Sequence, residues 1–124
     1  MGGRGMMRNP PNERVQTFKA TGTIDGIKVL EPINKTKKKW NLPSISNTPG
    51  TSYLKLTKDG NISRIQEYGA DRLPVIAIDF THDHGWGIPH AHDYYKGNII
   101  KKKGRSLTLA ERQKYAKTIK RAGY

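Results

Sequence analysis

Four histidines, the full complement of this chain, fall within eleven consecutive residues. They form two pairs with a spacing of two, His82 with His84 and His90 with His92. Histidine is the side chain that donates or accepts a proton near neutral pH. Imidazoles on either side of a phosphodiester could cleave RNA, one taking the 2′-hydroxyl proton and the other protonating the leaving 5′-oxygen. All four histidines are therefore candidate catalytic residues.

The residues around the histidines could position them. Asp79, Asp83 or Asp93 could orient an imidazole, as the third member of a catalytic triad does, and Asp79, which precedes the cluster, is the chosen candidate. In an extended chain, both histidines of a pair project to one side. Gly85, Gly87 and Pro89 favour a turn that would bring the two pairs face to face.

Three other interpretations of this segment stay open. Two His-x-His pairs with an aspartate could bind zinc or a water-activating metal, although the helical H-E-x-x-H motif is absent. The histidines and aspartates could instead cap one another structurally. Trp86, Tyr94 and Tyr95 could stack on unpaired bases without any catalysis. We expect no cofactor, with zinc as the alternative.

The charge of the chain predicts its partner. Lys and Arg number 23 against 10 Asp and Glu, which gives a net charge of +13. Such a surface attracts polyanions and releases them as salt rises, so RNA is the expected partner, with DNA as the alternative. The candidate substrate contacts, phosphate-binding except for the two aromatic residues, are Arg64, Lys55, Trp86, Tyr94, Lys96, Lys101, Lys102, Lys103 and Arg105.

Length and composition predict one domain, over residues 14–124, after a flexible leader at 1–13 that is rich in glycine, arginine and proline. The chain has no cysteine, which excludes a disulfide framework, a thiolate metal site and a cysteine nucleophile. Its apolar runs fall short of the ~18 residues that cross a bilayer. The sequence does not indicate an oligomeric state.

Local patterns predict several strands. Alternating β-branched residues over 15–30 surround a tight turn at Asp25-Gly26, and 52–57 and 62–67 form a hairpin around a two-residue turn at Asp59-Gly60. This hairpin would pair Lys55 with Arg64, and facing cations are destabilising unless an anion lies between them.

The most apolar stretch, residues 73–80, predicts an interior strand with Ile76, Ile78 and Phe80 on one face. A capping box at 108–111 begins a basic C-terminal helix, whose apolar stripe would be Leu109, Ala116 and Ile119. The predicted fold class is α+β, with a small curved antiparallel sheet of about four strands, a core on one sheet face and the basic helix.

Residues 61–69 (NISRIQEYG), 76–81 (IAIDFT), His84-Gly85 and 89–94 (PHAHDY) resemble the C-terminal ribonuclease domains of bacterial polymorphic and contact-dependent toxins, which also occur in phage-derived regions. The resemblance implies a fold like barnase and RelE and metal-independent cleavage of RNA, often transfer RNA. The matching positions are His84, His90, His92, Asp79 and Arg64. It further implies an acidic immunity protein and action in the bacterial cytoplasm, after delivery from a neighbouring cell or expression from a phage.

Overall fold

The computed structural model describes residues 17–33, 40–81, 85 and 87–124. These residues form seven strands in a single sheet, followed by two helices of six residues each. The strands are β1 (Phe18–Ile24), β2 (Ile27–Pro32), β3 (Ser52–Leu56), β4 (Ile62–Tyr68), β5 (Pro74–Asp79), β6 (His90–Tyr94) and β7 (Lys101–Arg105), and the helices are α1 (Leu109–Lys114) and α2 (Ala116–Arg121).

The strands lie in the sheet in their sequence order. Neighbouring strands are antiparallel except β2 and β3, which pair in parallel after the long connection between them. The β1–β2 turn places Asp25 and Gly26 at φ 52° and 81°, as the predicted tight turn requires. The two-residue turn predicted at Asp59-Gly60 is wrong. Thr57 accepts the turn hydrogen bond from Gly60 and donates to Asn61, so three residues form that loop.

The core occupies both faces of the sheet, which corrects the prediction of a core on one face. One cluster contains Leu54, Ile65, Ile78 and Ala91, together with residues of the helices. The other cluster contains Tyr53 and its neighbours on β1, β2 and β4. Because adjacent residues of a strand point to opposite faces, these clusters lie on opposite sides of the sheet. We call the side with the helices the helix face and the other side the open face.

The helices dock on the helix face through polar contacts at its rim. The Tyr115 hydroxyl donates to Glu67 at 2.6 Å and lies 3.0 Å from the Ser52 hydroxyl. Thr118 donates to Asp25 in the β1–β2 turn at 3.1 Å. The predicted capping box is confirmed, with Thr108 and Glu111 each accepting the other's backbone N–H. These contacts fix the end of the chain over strands β1 to β4.

The predicted fold class is wrong. The described residues form mostly sheet, with seven strands in mixed pairing where about four antiparallel strands were expected. In place of one basic helix there are two short ones, because the chain turns at Tyr115 and buries that ring to 3% exposure. The predicted apolar stripe is also wrong at Leu109, which is 72% exposed.

The extra strands escaped prediction for physical reasons. Strand β7 has the sequence KKKGR and lies at an edge of the sheet, where charged residues are common because they discourage pairing with other chains. Strand β6 combines polar and small residues and lacks a β-branched signal. The predicted leader at 1–13 lies outside the described residues. Within the part of the chain that the structure describes, none of the helices has the length and apolar character to cross a membrane.

Candidate active site

A row of ionisable side chains crosses four neighbouring strands on the open face. Lys55 pairs with Arg64, Arg64 with Asp79, and Asp79 with His90. The predicted pairing of Lys55 with Arg64 is therefore confirmed, and a register shift follows it in the ladder. Directly opposed side chains have Cβ atoms about 5 Å apart. The row therefore places two cations, one carboxylate and one imidazole beside one another.

Asp79 supplies the negative charge in this row. Its Oδ1 accepts hydrogen bonds from the backbone N–H and the hydroxyl of Thr81, both at 2.8 Å, and its Oδ2 lies 3.6 Å from Nη2 of Arg64. Burial alone would raise the pKa of Asp79, but these hydrogen bonds and the charges of Arg64 and His90 outweigh it and lower the pKa. Asp79 is thus a carboxylate whose charge is held in place.

Two more residues reach this row from β6 and β7, where Lys101 pairs with Tyr94. Burial, and next the charge of Arg64, lower the pKa of Lys101, while Asp79 opposes the shift. The same causes, in the same order, lower the pKa of Lys55. The charges of Arg64 and Asp79 therefore act on both ammonium groups, which indicates that the four side chains form one cluster. We call Lys55, Arg64, Asp79 and Lys101 the cationic cluster.

Lys55 also contacts the segment that borders the cluster. Its Nζ donates to the backbone carbonyl of Trp40 and lies 4.5 Å from the centre of the indole ring. Further along the same segment, the backbone carbonyl of Pro43 accepts from the buried side chains of Gln66 and Tyr68. Residues 40–43 therefore form one wall of the open face, beside the cationic cluster.

His90 and His92 project to the same side of β6, as predicted, and their rings touch. Their Nε2 atoms are 3.1 Å apart. His92 Nδ1 lies 2.8 Å from the backbone carbonyl of Lys102, and because a carbonyl can only accept, Nδ1 carries the proton. In neutral His92, Nε2 then has the lone pair and accepts a hydrogen bond from His90 Nε2. This polarity fixes which nitrogen of His92 can react.

This contact differs from the expected arrangement of two imidazoles around a phosphodiester. Nitrogens 3.1 Å apart leave no room for a phosphate between them. The two rings are also unequal, since His90 is 0% exposed and His92 is partly exposed. His92 is accordingly the member of the pair that a substrate can reach, and His90 lies behind it, next to Asp79 in the register.

The second predicted pair, His82 with His84, lies outside the described residues, as does Trp86. Gly85 and Gly87 have φ values of 89° and 84°, which agrees with the turn predicted there. The connection returns the chain so that β6 runs antiparallel to β5, and this return brings His90 beside Asp79. Whether the two histidine pairs face each other stays a prediction.

Arg105 is not part of the cationic cluster. It pairs with Ala91, whose side chain belongs to the core of the helix face. Its guanidinium binds two carboxylates with two hydrogen bonds each, Asp93 at 2.6 and 2.9 Å and Glu111 at 2.8 Å. Hydrogen bonds to Asp93 and then Glu111 raise the pKa of Arg105. Arg105 thus joins β6, β7 and α1, and its contact with substrate stays a prediction.

The other predicted contacts lie around the cluster. Lys96 is exposed in the turn between β6 and β7. The Lys102 ammonium lies 5.2 Å from the centre of the Tyr95 ring. Lys103 directly precedes Gly104, which pairs with His92, so its side chain points to the helix face. Gln66, which receives a hydrogen bond from Tyr94, was not among the predicted site residues. Only its place on the same face as Arg64, two residues away, could have indicated it.

Within the described ranges, no group of three or more His, Asp and Glu side chains is arranged to hold a metal ion. Comparison of this chain with protein-family models, with curated proteins and with solved structures gave no match in any of the three.

Proposed function

We propose that this protein is a metal-independent endoribonuclease that binds RNA on the open face of the sheet. The observation that carries the proposal is the position of a partly exposed histidine, with a fixed tautomer, on the same face as three cations. Those are the two ingredients of phosphodiester transfer, namely a proton acceptor and positive charge for the phosphoryl oxygens.

The cationic cluster supports phosphate binding. Lys55, Arg64 and Lys101 contribute three positive charges and Asp79 one negative charge, so the cluster is cationic even with its internal ion pair intact. Lys55 and Arg64 face and repel each other, and the single carboxylate of Asp79 balances only part of the positive charge. A phosphodiester would relieve this repulsion, and its negative charge would increase in the transition state, where the cations stabilise it most.

His92 supports the proton transfer. With Nδ1 donating to the carbonyl of Lys102, its Nε2 lone pair can accept the 2′-hydroxyl proton once that hydroxyl replaces His90 as the donor. The 2′-oxygen then bonds to phosphorus and the bond to the 5′-oxygen breaks, which leaves a 2′,3′-cyclic phosphate. A general acid protonates the 5′-oxygen, and we propose His84, one of the predicted catalytic histidines, for that role. His90 and Asp79 would lie behind His92 without contacting the substrate, and the carbonyl of Lys102 would hold the His92 ring.

The test is incubation of the purified protein with bacterial RNA in EDTA, beside the His92→Ala variant and a Lys103→Met control. We expect discrete fragments that end in a 2′,3′-cyclic phosphate, a rate at least about 10²-fold lower for His92→Ala, and near-normal cleavage by the control. Intact RNA with the unmodified protein, or equal rates for all three, would overturn the proposal. Cleavage that needs added zinc or magnesium would indicate the metal-dependent alternative.

One observation favours a second candidate, an RNA-binding protein without catalysis. The direct contact of His90 with His92, and the complete burial of His90, are also what a structural pair of histidines would show. This candidate predicts salt-sensitive binding and no new fragment ends. Transfer RNA as the substrate, an acidic immunity protein, delivery into a neighbouring bacterium and the toxin assignment itself are proposals that depend on the sequence resemblance.

A further inference from the structure

The hydroxyl of Tyr94 has a fixed direction, which a chain of hydrogen bonds imposes. Gln66 Nε2 donates to the carbonyl of Pro43 at 3.2 Å and to the Tyr68 hydroxyl at 2.9 Å. Because a carbonyl can only accept, the amide nitrogen of Gln66 must face Pro43, and its oxygen Oε1 faces the other way. Oε1 lies 3.1 Å from the Tyr94 hydroxyl, so Tyr94 is the donor in that contact.

This direction determines what else Tyr94 can bind. A phenol has one hydrogen and two lone pairs, and the hydrogen of Tyr94 is committed to Gln66. Any further hydrogen bond at this oxygen must therefore be one that it accepts. Burial raises the pKa of Tyr94, with Arg64 acting against the shift, so the phenol keeps its hydrogen at neutral pH. Its ring is only partly buried, which leaves it within reach of a ligand.

Tyr94 also lies beside the groups that would hold phosphate. It pairs with Lys101 across β6 and β7, and the charge of Arg64 acts on its hydroxyl. It follows His92 by two residues on the same face of β6. A ligand phosphate on Arg64 and Lys101 would therefore bring its attached sugar close to Tyr94. The hydrogen-bond donor that a ribose offers next to its phosphate is the 2′-hydroxyl, which deoxyribose lacks.

We propose that Tyr94 accepts a hydrogen bond from the 2′-hydroxyl of a ribose next to the scissile one, whose own 2′-hydroxyl gives its single hydrogen to His92, and so makes the open face selective for RNA over DNA. This inference rests on the proposed function, because it assumes that a nucleic-acid phosphate binds the cationic cluster. Gln66 acts through Tyr94 and is the positioning residue for the direction of its hydroxyl, because its hydrogen bond to the carbonyl of Pro43 fixes the amide.

The experiment compares binding of two short single strands that differ in the 2′-hydroxyl alone, oligouridylate RNA and oligodeoxyuridylate. Both are titrated into the His92→Ala protein, in which the proposed cleavage is suppressed, with and without Tyr94→Phe. We expect the RNA to bind about three- to tenfold more tightly than the DNA, the range for one hydrogen bond. Tyr94→Phe should weaken RNA binding to the DNA value and leave DNA binding unchanged. A 2′-fluoro strand, which cannot donate, should bind like the DNA.

A matched control is Tyr68→Phe, which removes a phenol oxygen from the same chain of hydrogen bonds at a site buried to 3% exposure. It should lower thermal stability and keep the RNA preference. A preference that survives Tyr94→Phe, or equal binding of both strands by the parent protein, would overturn the inference while leaving the cleavage test unaffected. Binding of neither strand would overturn the proposed function along with the inference.

Discussion

Lys101 and Lys103 give the sharpest test of where nucleic acid binds. Both lie on the edge strand β7, and replacing either with methionine changes the net charge by the same amount. Lys101 pairs with Tyr94, and the charges of Arg64 and Asp79 on the open face act on its ammonium group. Lys103 points to the helix face instead. Because both variants lose the same charge, any difference in their RNA affinity must come from the position of the lysine on the sheet.

The expected difference in RNA affinity follows from the loss of one phosphate contact at Lys101. One charge-assisted contact to phosphate at a partly exposed site is worth about 1 to 1.5 kcal/mol, which corresponds to about a five- to tenfold loss of affinity. Loss of one neutralised phosphate should also reduce the slope of log K against log salt by about 0.7 for a single strand. Lys101→Met should show both effects. Lys103→Met should change affinity by about twofold or less, through long-range charge alone.

The assay is fluorescence anisotropy with labelled single-stranded RNA at several salt concentrations, in the His92→Ala background so that the RNA stays intact. Unfolding of each variant in urea checks that the fold is retained. Equal losses of affinity and slope in the two variants would refute the reasoning, because they would show that net charge, and not the cationic cluster, holds the RNA.

Two further predictions concern stability, and urea unfolding at neutral and acid pH checks both. Arg105→Met should lower the free energy of unfolding by about 1 kcal/mol at pH 7, because two carboxylates lose a partly exposed bidentate partner. The hydrogen bonds from Arg105 lower the pKa of Asp93 and Glu111, so this contribution is present above their unfolded values and is lost as pH falls through the lowered ones. Asp79→Asn should cost about 1 to 2 kcal/mol at pH 7. The pKa of Asp79 is also lowered in the folded protein, so its contribution to stability is likewise lost in acid. The free energies of unfolding of parent and variant should therefore converge as pH falls. A difference that stays constant with pH would contradict both predictions.

Features that depend on neighbouring residues could be predicted from the sequence. The turn at Asp25-Gly26 needs two positive φ values, which this pair adopts at low cost. The capping box requires only Thr108 and Glu111 at the correct spacing. The alternation of β5 indicated that Ile76 and Ile78 share a face, and both belong to the core of the helix face. In each case the partners lie within a few residues, so local chemistry decides the outcome.

Features that depend on distant partners could not be predicted. Strand β7 has no apolar alternation, and its place in the sheet depends on pairing with β6. The two ion pairs of Arg105 could not be predicted for the same reason, because its carboxylate partners lie 12 residues before it and 6 residues after it, and only the folded chain brings them together. Charge alone cannot distinguish a structural arginine from a phosphate-binding one, since both require the same side chain.

The register of β6 connects the stability of the sheet to its chemistry. Ala91 is 0% exposed in the core of the helix face, and Asp93 is held by Arg105, while His90 and His92 take the alternate positions on the open face. A shift of the β6 register by one residue would move each side chain of this strand to the opposite face of the sheet. It would place both imidazoles in the apolar core and leave the cationic cluster without its histidines. The Arg105 ion pairs and the buried Ala91, which lie on the helix face, therefore specify the position of His92 on the open face.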